Sequence, residues 1–169
     1  MAIDSIVVHC SATKDSGTVS WDAIRKYHMR EKRWSDIGYH FGIEMIDSNI
    51  VILRGRHPAT KGAHCRMGGY NSRSLGVCVV GKYEDEPPSK YLLNVTIDLL
   101  TKLCFLYGVV SSNVLAHSEI DDRKTCPGAA WSMELLRAKL YRNLLYGGVQ
   151  DIQDINVITE YSGDRIYWR

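Results

Sequence analysis

Apolar and polar positions follow two rhythms along the chain. Ser5–Cys10 (SIVVHC) is a short β-branched run and predicts a buried strand that ends on polar residues. A Ser/Thr/Gly loop follows. Ser20 then stands where an N-cap belongs, before a helix over Trp21–Arg33 in which Trp21, Ile24, Tyr27 or His28 and Glu31 keep helical spacing. Gly38–Ile46 and Asn49–Arg54 predict two strands joined by the turn chemistry of Asp47-Ser48-Asn49. From Gly55 to Arg73 periodicity fades into a long loop rich in Gly, Arg and His, the kind of segment in which binding residues concentrate. Ser74–Gly81 (SLGVCVVG) predicts another buried strand. Pro87-Pro88 breaks the chain before a helix over Lys90–Tyr107, with Leu92, Thr96, Leu99, Leu103 and Leu106 on one stripe. Val114–His117 predicts a short strand, and a helix runs from Trp131 to Tyr146 until Gly147-Gly148 stops it. Residues 147–169 alternate loosely, as a small hairpin or a docked tail would. The irregular alternation with one hairpin predicts an α/β fold: a single domain with a central mixed β-sheet flanked by helices.

Composition narrows the class. The chain has 169 residues, 45% of them hydrophobic and 24% charged, which suits one packed domain and excludes a disordered or collagen-like chain. With 21 basic and 19 acidic residues the net charge is only +2, so direct nucleic-acid binding is not expected. The apolar stretch from Tyr91 to Val110 is interrupted by Asn94, Thr96, Asp98, Thr101 and Lys102, the pattern of a buried helix, so no membrane association is expected. MAIDSIVVHC lacks a basic region followed by a long apolar one, which predicts synthesis in the cytoplasm without an ordinary signal peptide. Five cysteines, Cys10, Cys65, Cys78, Cys104 and Cys126, form no CxxC pair and argue against a disulfide scaffold. Cys10, Cys78 and Cys104 lie in apolar runs, as core residues do.

Candidate chemistry sits at strand ends. His9 closes SIVV and His117 closes VLA, and Cys126 comes in a loop just ahead of Pro127. Two imidazoles and a thiolate suit zinc, with a fourth position left for water. Spacing alone leaves this open, because strand-end histidines are also ordinary structural residues and a lone cysteine is often a small core residue. In GYHF, period-2 alternation puts Tyr39 and Phe41 on one face and His40 on the other, so His40 has a structural place. His28 and His57 have no supporting context and read as surface residues. Cys65 beside His64 has the look of a nucleophile pair, but neighbours on an extended chain point apart. A cysteine peptidase built on Cys65 or Cys126 is the competing enzyme class.

Taken together and in order, HCSAT, GYHF, GYN…SLGVCVVG and AHSEI…RKTCPG resemble the zinc-dependent N-acetylmuramoyl-L-alanine amidases of the type 2 family. That family includes phage amidases historically called lysozymes, and it is related to peptidoglycan recognition proteins. The resemblance runs from Ile6 to Leu140 and implies a catalytic domain over residues 1–146, with 147–169 as a tail outside the pattern. It implies one zinc ion on His9, His117 and Cys126, with Tyr39 and Lys124 as catalytic residues. Cys126 matches the phage and recognition-protein branch, since relatives often carry aspartate there. The loop GAHCRMGGYN matches a substrate-groove segment, which makes His64, Asn71 and Arg73 candidate substrate contacts, Arg73 as a bidentate carboxylate binder. The solvated-loop alternative for His64 stands beside this. Bacterial peptidoglycan is the implied substrate, cut between N-acetylmuramic acid and L-alanine, and a phage or prophage endolysin released to the cell wall is the implied setting. A non-catalytic recognition module is the alternative on the same fold. Some phage amidases also inhibit a phage RNA polymerase, which adds that polymerase as a candidate partner. The expected working form is a monomer.

Overall fold

The computed structural model describes residues 2–13, 19–46 and 48–147, and the backbone of 165–167. Six strands form one sheet: β1 (Ser5–Cys10), β2 (Phe41–Ile46), β3 (Asn49–Arg54), β4 (Ser74–Val79), β5 (Val114–Ala116) and β6 (Arg165–Tyr167), in the order β5-β1-β4-β2-β3-β6. β1 pairs parallel with both β4 and β5, and β4 pairs parallel with β2. β2 and β3 form the antiparallel hairpin, and β6 lies antiparallel on β3. The mixed sheet expected from the alternating pattern is present. The Arg165–Tyr167 backbone joins it, while the rest of the tail lies outside the described residues.

Helices cover both faces, so β1 and β4 are buried along their whole length, as inner parallel strands are. On one face Ile6, Val8, Leu75, Val77, Val79, Ile43 and Ile52 pack against α3 (Lys90–Tyr107) and α5 (Met133–Arg142). Leu100, Leu136 and Leu140 of these helices are fully buried there. On the other face Trp21 of α1 (Trp21–Arg30) packs with Ile37, Val51, Leu53 and Cys78. Ser20 caps α1 by accepting from the Ala23 N–H at 3.3 Å, as the sequence predicts. Among the described residues no helix is long and apolar enough to cross a membrane.

β4 ends at Val79 and β5 at Ala116, short of the predicted Gly81 and His117, and four other boundaries differ for a local reason. α1 ends at Arg30, three residues early, because the chain reverses through Arg33 at φ 58°. β2 starts at Phe41: Tyr39 and His40 still bond across to Arg56 and Gly76, but outside the regular ladder. α5 starts at Met133, where the Ser132 hydroxyl accepts from Leu135, and beyond Arg142 its end widens into a π-turn over Asn143–Gly147. The loop after β3 is not wholly irregular, since Met67–Gly69 and Tyr70–Arg73 (α2) each make a helical turn. The hairpin closes with Ile46 opposite Asn49 and Ser48 at φ 66°, while Asp47 lies outside the described residues.

Two contacts lock the layers and can be tested. A Cβ on Gly42 would sit 2.5 Å from the Trp21 ring, so the glycine is what lets α1 lie on the hairpin. Gly42→Ala is expected to cost ~1–3 kcal/mol by overpacking, measured by urea unfolding. Unchanged stability would contradict the close approach. The second contact is His40, which accepts from Gly76 N–H at Nδ1 (2.9 Å) and donates from Nε2 to the Thr60 carbonyl (3.0 Å). Burial holds this ring neutral, lowering its pKa below the ordinary 6.5, against a smaller opposing pull from Thr60. Below pH 6.5 the unfolded chain therefore binds more protons than the folded one. The contribution is complete above that pH and is lost as pH falls through the lowered folded value. His40→Phe should flatten this acid slope in thermal melts and cost ~1–3 kcal/mol at neutral pH by orphaning Gly76 N–H. An unaltered slope would remove His40 as its source.

Candidate active site

Parallel pairing builds the centre of the site. Val8 lies opposite Ala116 in the β1–β5 ladder, so the next residue on each strand, His9 and His117, emerges at the same level. Their ring centroids are 4.6 Å apart. His117 also opens the single turn α4 (His117–Ile120). The chain then loops out and returns with Cys126, whose sulfur accepts the Cys10 backbone N–H at 3.1 Å and lies 3.8 Å from His9 Nδ1. The ligand atoms of His9, His117 and Cys126 lie within 4.8 Å of one another. Tetrahedral zinc with ordinary Zn–N and Zn–S lengths asks for donors about 3.3–3.6 Å apart. The three residues need only a small contraction to meet that, and the donor set fits the metal.

The loop that carries Cys126 is held from both sides. Ser118 N–H donates to the Cys126 carbonyl at 2.9 Å. Glu84 receives the Thr125 hydroxyl and, at 3.2 Å, the Ala129 N–H. Arg123 pairs with Asp121 at 2.8 Å and holds that carboxyl down to about 2. Glu119 accepts from Ala116 N–H at 2.7 Å and from Arg137 through both oxygens, which ties α4 to α5 just behind His117. Sequence reading missed Glu84, Glu119 and Arg137. Single charged residues far apart in the chain carry no signal of such clamps.

Burial sets the protonation states. It lowers the pKa of His9 well below the usual histidine range, with His64 and His117 adding to the effect. His117 is lowered by burial and by the Lys124 charge, against a smaller opposing pull from Asp121. Both rings are therefore neutral, the form that can ligate a metal. The Cys126 thiol is pushed up by the Cys10 side chain and by burial, although the Cys10 N–H favours its thiolate. A cation at the site supplies what the thiolate lacks.

Tyr39 stands beside this group, its ring centroid 5.1 Å from that of His9. Burial and the adjacent Cys78 raise its pKa well above that of an ordinary phenol, so the group is a hydrogen donor rather than a base. Lys124 is exposed on the loop between His117 and Cys126. His64 is only 7% exposed, not a solvated loop residue, and its Nδ1 lies 3.1 Å from His9 Nε2. Burial lowers its pKa to about 3. Asn71 Oδ1 accepts from the N–H groups of His64 and Cys65, both at 2.7 Å, and so shapes the loop from within. Arg73 bonds Asp4 at 2.7 Å and stacks on Tyr70. His28 is more than a surface residue: it is half-buried, accepts from Gly38 N–H at 3.2 Å and lies against Trp34 and Tyr39. His57 is exposed. Cys65 is buried, which raises its thiol pKa, and Cys10, Cys78 and Cys104 are buried as expected. Beside Tyr39, a cavity of about 370 Å³ opens between α1 and the segment that follows β1, lined by Ser11, Thr13, Ala23, Ile24, Tyr27 and His28.

The chain is similar to known proteins in sequence and in fold. Residues 1–129 match the family model described as N-acetylmuramoyl-L-alanine amidase. The endolysin of Escherichia phage T7 is 39% identical over 129 residues, covering 73% of this chain and 80% of that protein. Among solved structures, the N-acetylmuramoyl-L-alanine amidase LysC from Clostridium intestinale superposes with a TM-score of 0.71 at 26% identity, covering 83% and 86% of the two chains. Bumblebee PGRP-SA superposes with a TM-score of 0.66 at 26% identity, covering 80% of this chain and 81% of that one. With more than two thirds of its length matched in sequence and in fold, the chain belongs to the N-acetylmuramoyl-L-alanine amidase family.

Proposed function

We propose that the protein is a zinc-dependent peptidoglycan amidase that works as a phage-type endolysin. It hydrolyses the amide between the lactyl group of N-acetylmuramic acid and the L-alanine of the stem peptide. The observation that carries the reading is the convergence of His9, His117 and Cys126, whose ligand atoms lie within 4.8 Å. These residues would hold one Zn²⁺, which when bound acidifies water and polarises the scissile carbonyl. Water adds across the amide, leaving a carboxylate on the lactyl group and a new amino-terminal alanine. Lys124 brings positive charge to where the oxyanion develops, and Tyr39 donates a hydrogen bond from its neutral hydroxyl. Asn71 acts here by shaping the loop that carries His64, while Arg73 is tied to Asp4 just before β1, at the opposite end of that strand from His9. Synthesis in the cytoplasm, with later release to the wall, completes the proposed setting.

The approach of Cys126 to His9 Nδ1, 3.8 Å, also has the look of a thiol–imidazole nucleophile pair. The raised thiol pKa of Cys126 opposes that reading. Chelation separates the two, because a cysteine peptidase keeps its activity without metal. A dialysed, metal-free preparation is expected to lose lysis of purified peptidoglycan and to regain it with zinc. Digestion should yield new amino-terminal alanine with no new reducing sugar ends. Full activity without metal, or reducing ends as the product, would overturn the proposal.

Lys124→Gln is expected to lower the rate about 100-fold or more while leaving binding to insoluble peptidoglycan intact. A variant with native turnover would take Lys124 out of the chemistry. A variant that no longer binds would assign it to substrate capture.

A further inference from the structure

The ring nitrogen of His9 that faces away from Cys126 has a partner of its own. Nε2 of His9 lies 3.1 Å from Nδ1 of His64, while Nδ1 of His9 is the atom near the Cys126 sulfur. A neutral imidazole carries one hydrogen, on one nitrogen or the other. With that hydrogen on His9 Nε2, the Nδ1 lone pair points at Cys126 and His117, as a ligand requires. With His64 Nδ1 as the donor instead, His9 carries its hydrogen on Nδ1 and cannot ligate. Metal-binding histidines usually give their remote N–H to a carboxylate, a carbonyl or water. Here the neighbour is another buried imidazole, which adds no charge to the donor set.

The place of His64 is built for its ring. A Cβ on Gly62 would lie 2.5 Å from His64 Cδ2, and one on Gly76 would lie 2.5 Å from His64 Cγ. Neither glycine is at positive φ, so the ring, not the turn, is what excludes a side chain there. Asn71 holds the His64 backbone, and His40 packs behind at 5.5 Å between ring centroids. The contrast with His40 is informative. His40 uses both nitrogens on backbone groups, as a structural histidine does. His64 commits Nδ1 to His9, and the Ser74 backbone acts on its ring as a hydrogen-bond acceptor that favours a ring hydrogen. A ring hydrogen drawn to Ser74 sits on Nε2 and leaves the Nδ1 lone pair toward His9.

We propose that His64 is a positioning residue of the metal centre: its Nδ1 accepts the hydrogen of His9 Nε2 and so keeps the His9 Nδ1 lone pair on the metal side. The inference rests on the proposed zinc dependence. It changes the reading of GAHC from a substrate-contact segment to the support behind a ligand.

The unmodified, metal-free protein tests this directly. Nitrogen-15 imidazole spectra are expected to show His9 as the Nε2–H form, and finding it as the Nδ1–H form would overturn the inference. Zinc affinity, read by competition with a chromophoric chelator, is the second measurement. His64→Phe keeps the ring volume but removes the acceptor, and should weaken zinc binding by about 10–100-fold. His64→Asn places an amide oxygen where Nδ1 stood and should recover most of that loss. Gly76→Ala, which displaces the ring without touching its chemistry, should behave like His64→Phe and serves if that variant does not fold. A folded His64→Phe with native zinc affinity overturns the inference alone. A native protein that binds no zinc overturns the proposed function as well.

Discussion

The site depends on β1 lying between two parallel neighbours. Parallel pairing sets β1, β4 and β5 side by side with their C-terminal ends together, so the residues that leave each strand collect at one edge of the sheet. His9 and His117 meet there because Val8 and Ala116 are ladder partners, although 108 positions separate the histidines in sequence. A slip of one residue in either strand would turn one histidine to the opposite face. The registers are secured by apolar burial on both faces of β1 and β4, so the hydrophobic core and the metal-site geometry share one cause.

Burial also determines the charge of the site. Water is excluded around His9, His40 and His64, and each is held neutral by the desolvation that accompanies packing. Neutral imidazoles suit a cation site, since charged ones would repel the ion. Lys124 stays outside this dry region, on an exposed loop, where it keeps its solvation and still lowers the proton affinity of His117. The result is a graded environment, with imidazoles within, a thiol at the rim and an ammonium at the surface.

Strength is added where the fold is least regular. The turn after β5 and the loop that returns Cys126 are too short to bury a core of their own. They are fastened instead by directed polar contacts: Glu119 with Arg137, Asp121 with Arg123, and Glu84 with Thr125 and Ala129. These contacts, together with the packing of Cys126 against the core and its bond from Cys10 N–H, decide where Cys126 sits. Glycines act in the opposite sense, at Gly42, Gly62 and Gly76, by leaving room for Trp21 and His64.

Much of this was legible in the chain itself. The apolar runs marked the strands, Lys90–Tyr107 matched its helix, and the words HCSAT, GYHF, AHSEI and RKTCPG pointed to the family and to His9, His117 and Cys126. Such features are local, and each rests on side-chain period or on a motif within a few residues. The hidden features were non-local. His64 reads as a loop residue until β4 and the GAHC segment bring its ring against His9. His28 reads as surface until Trp34 and Tyr39 close over it. Helix ends moved where backbone reversal at Arg33 overrode the side-chain pattern. The sequence by itself determined which residues could do the chemistry, through their types and their places at strand ends. Tertiary structure alone decided which of them meet, because parallel register and burial act between segments that the chain keeps far apart.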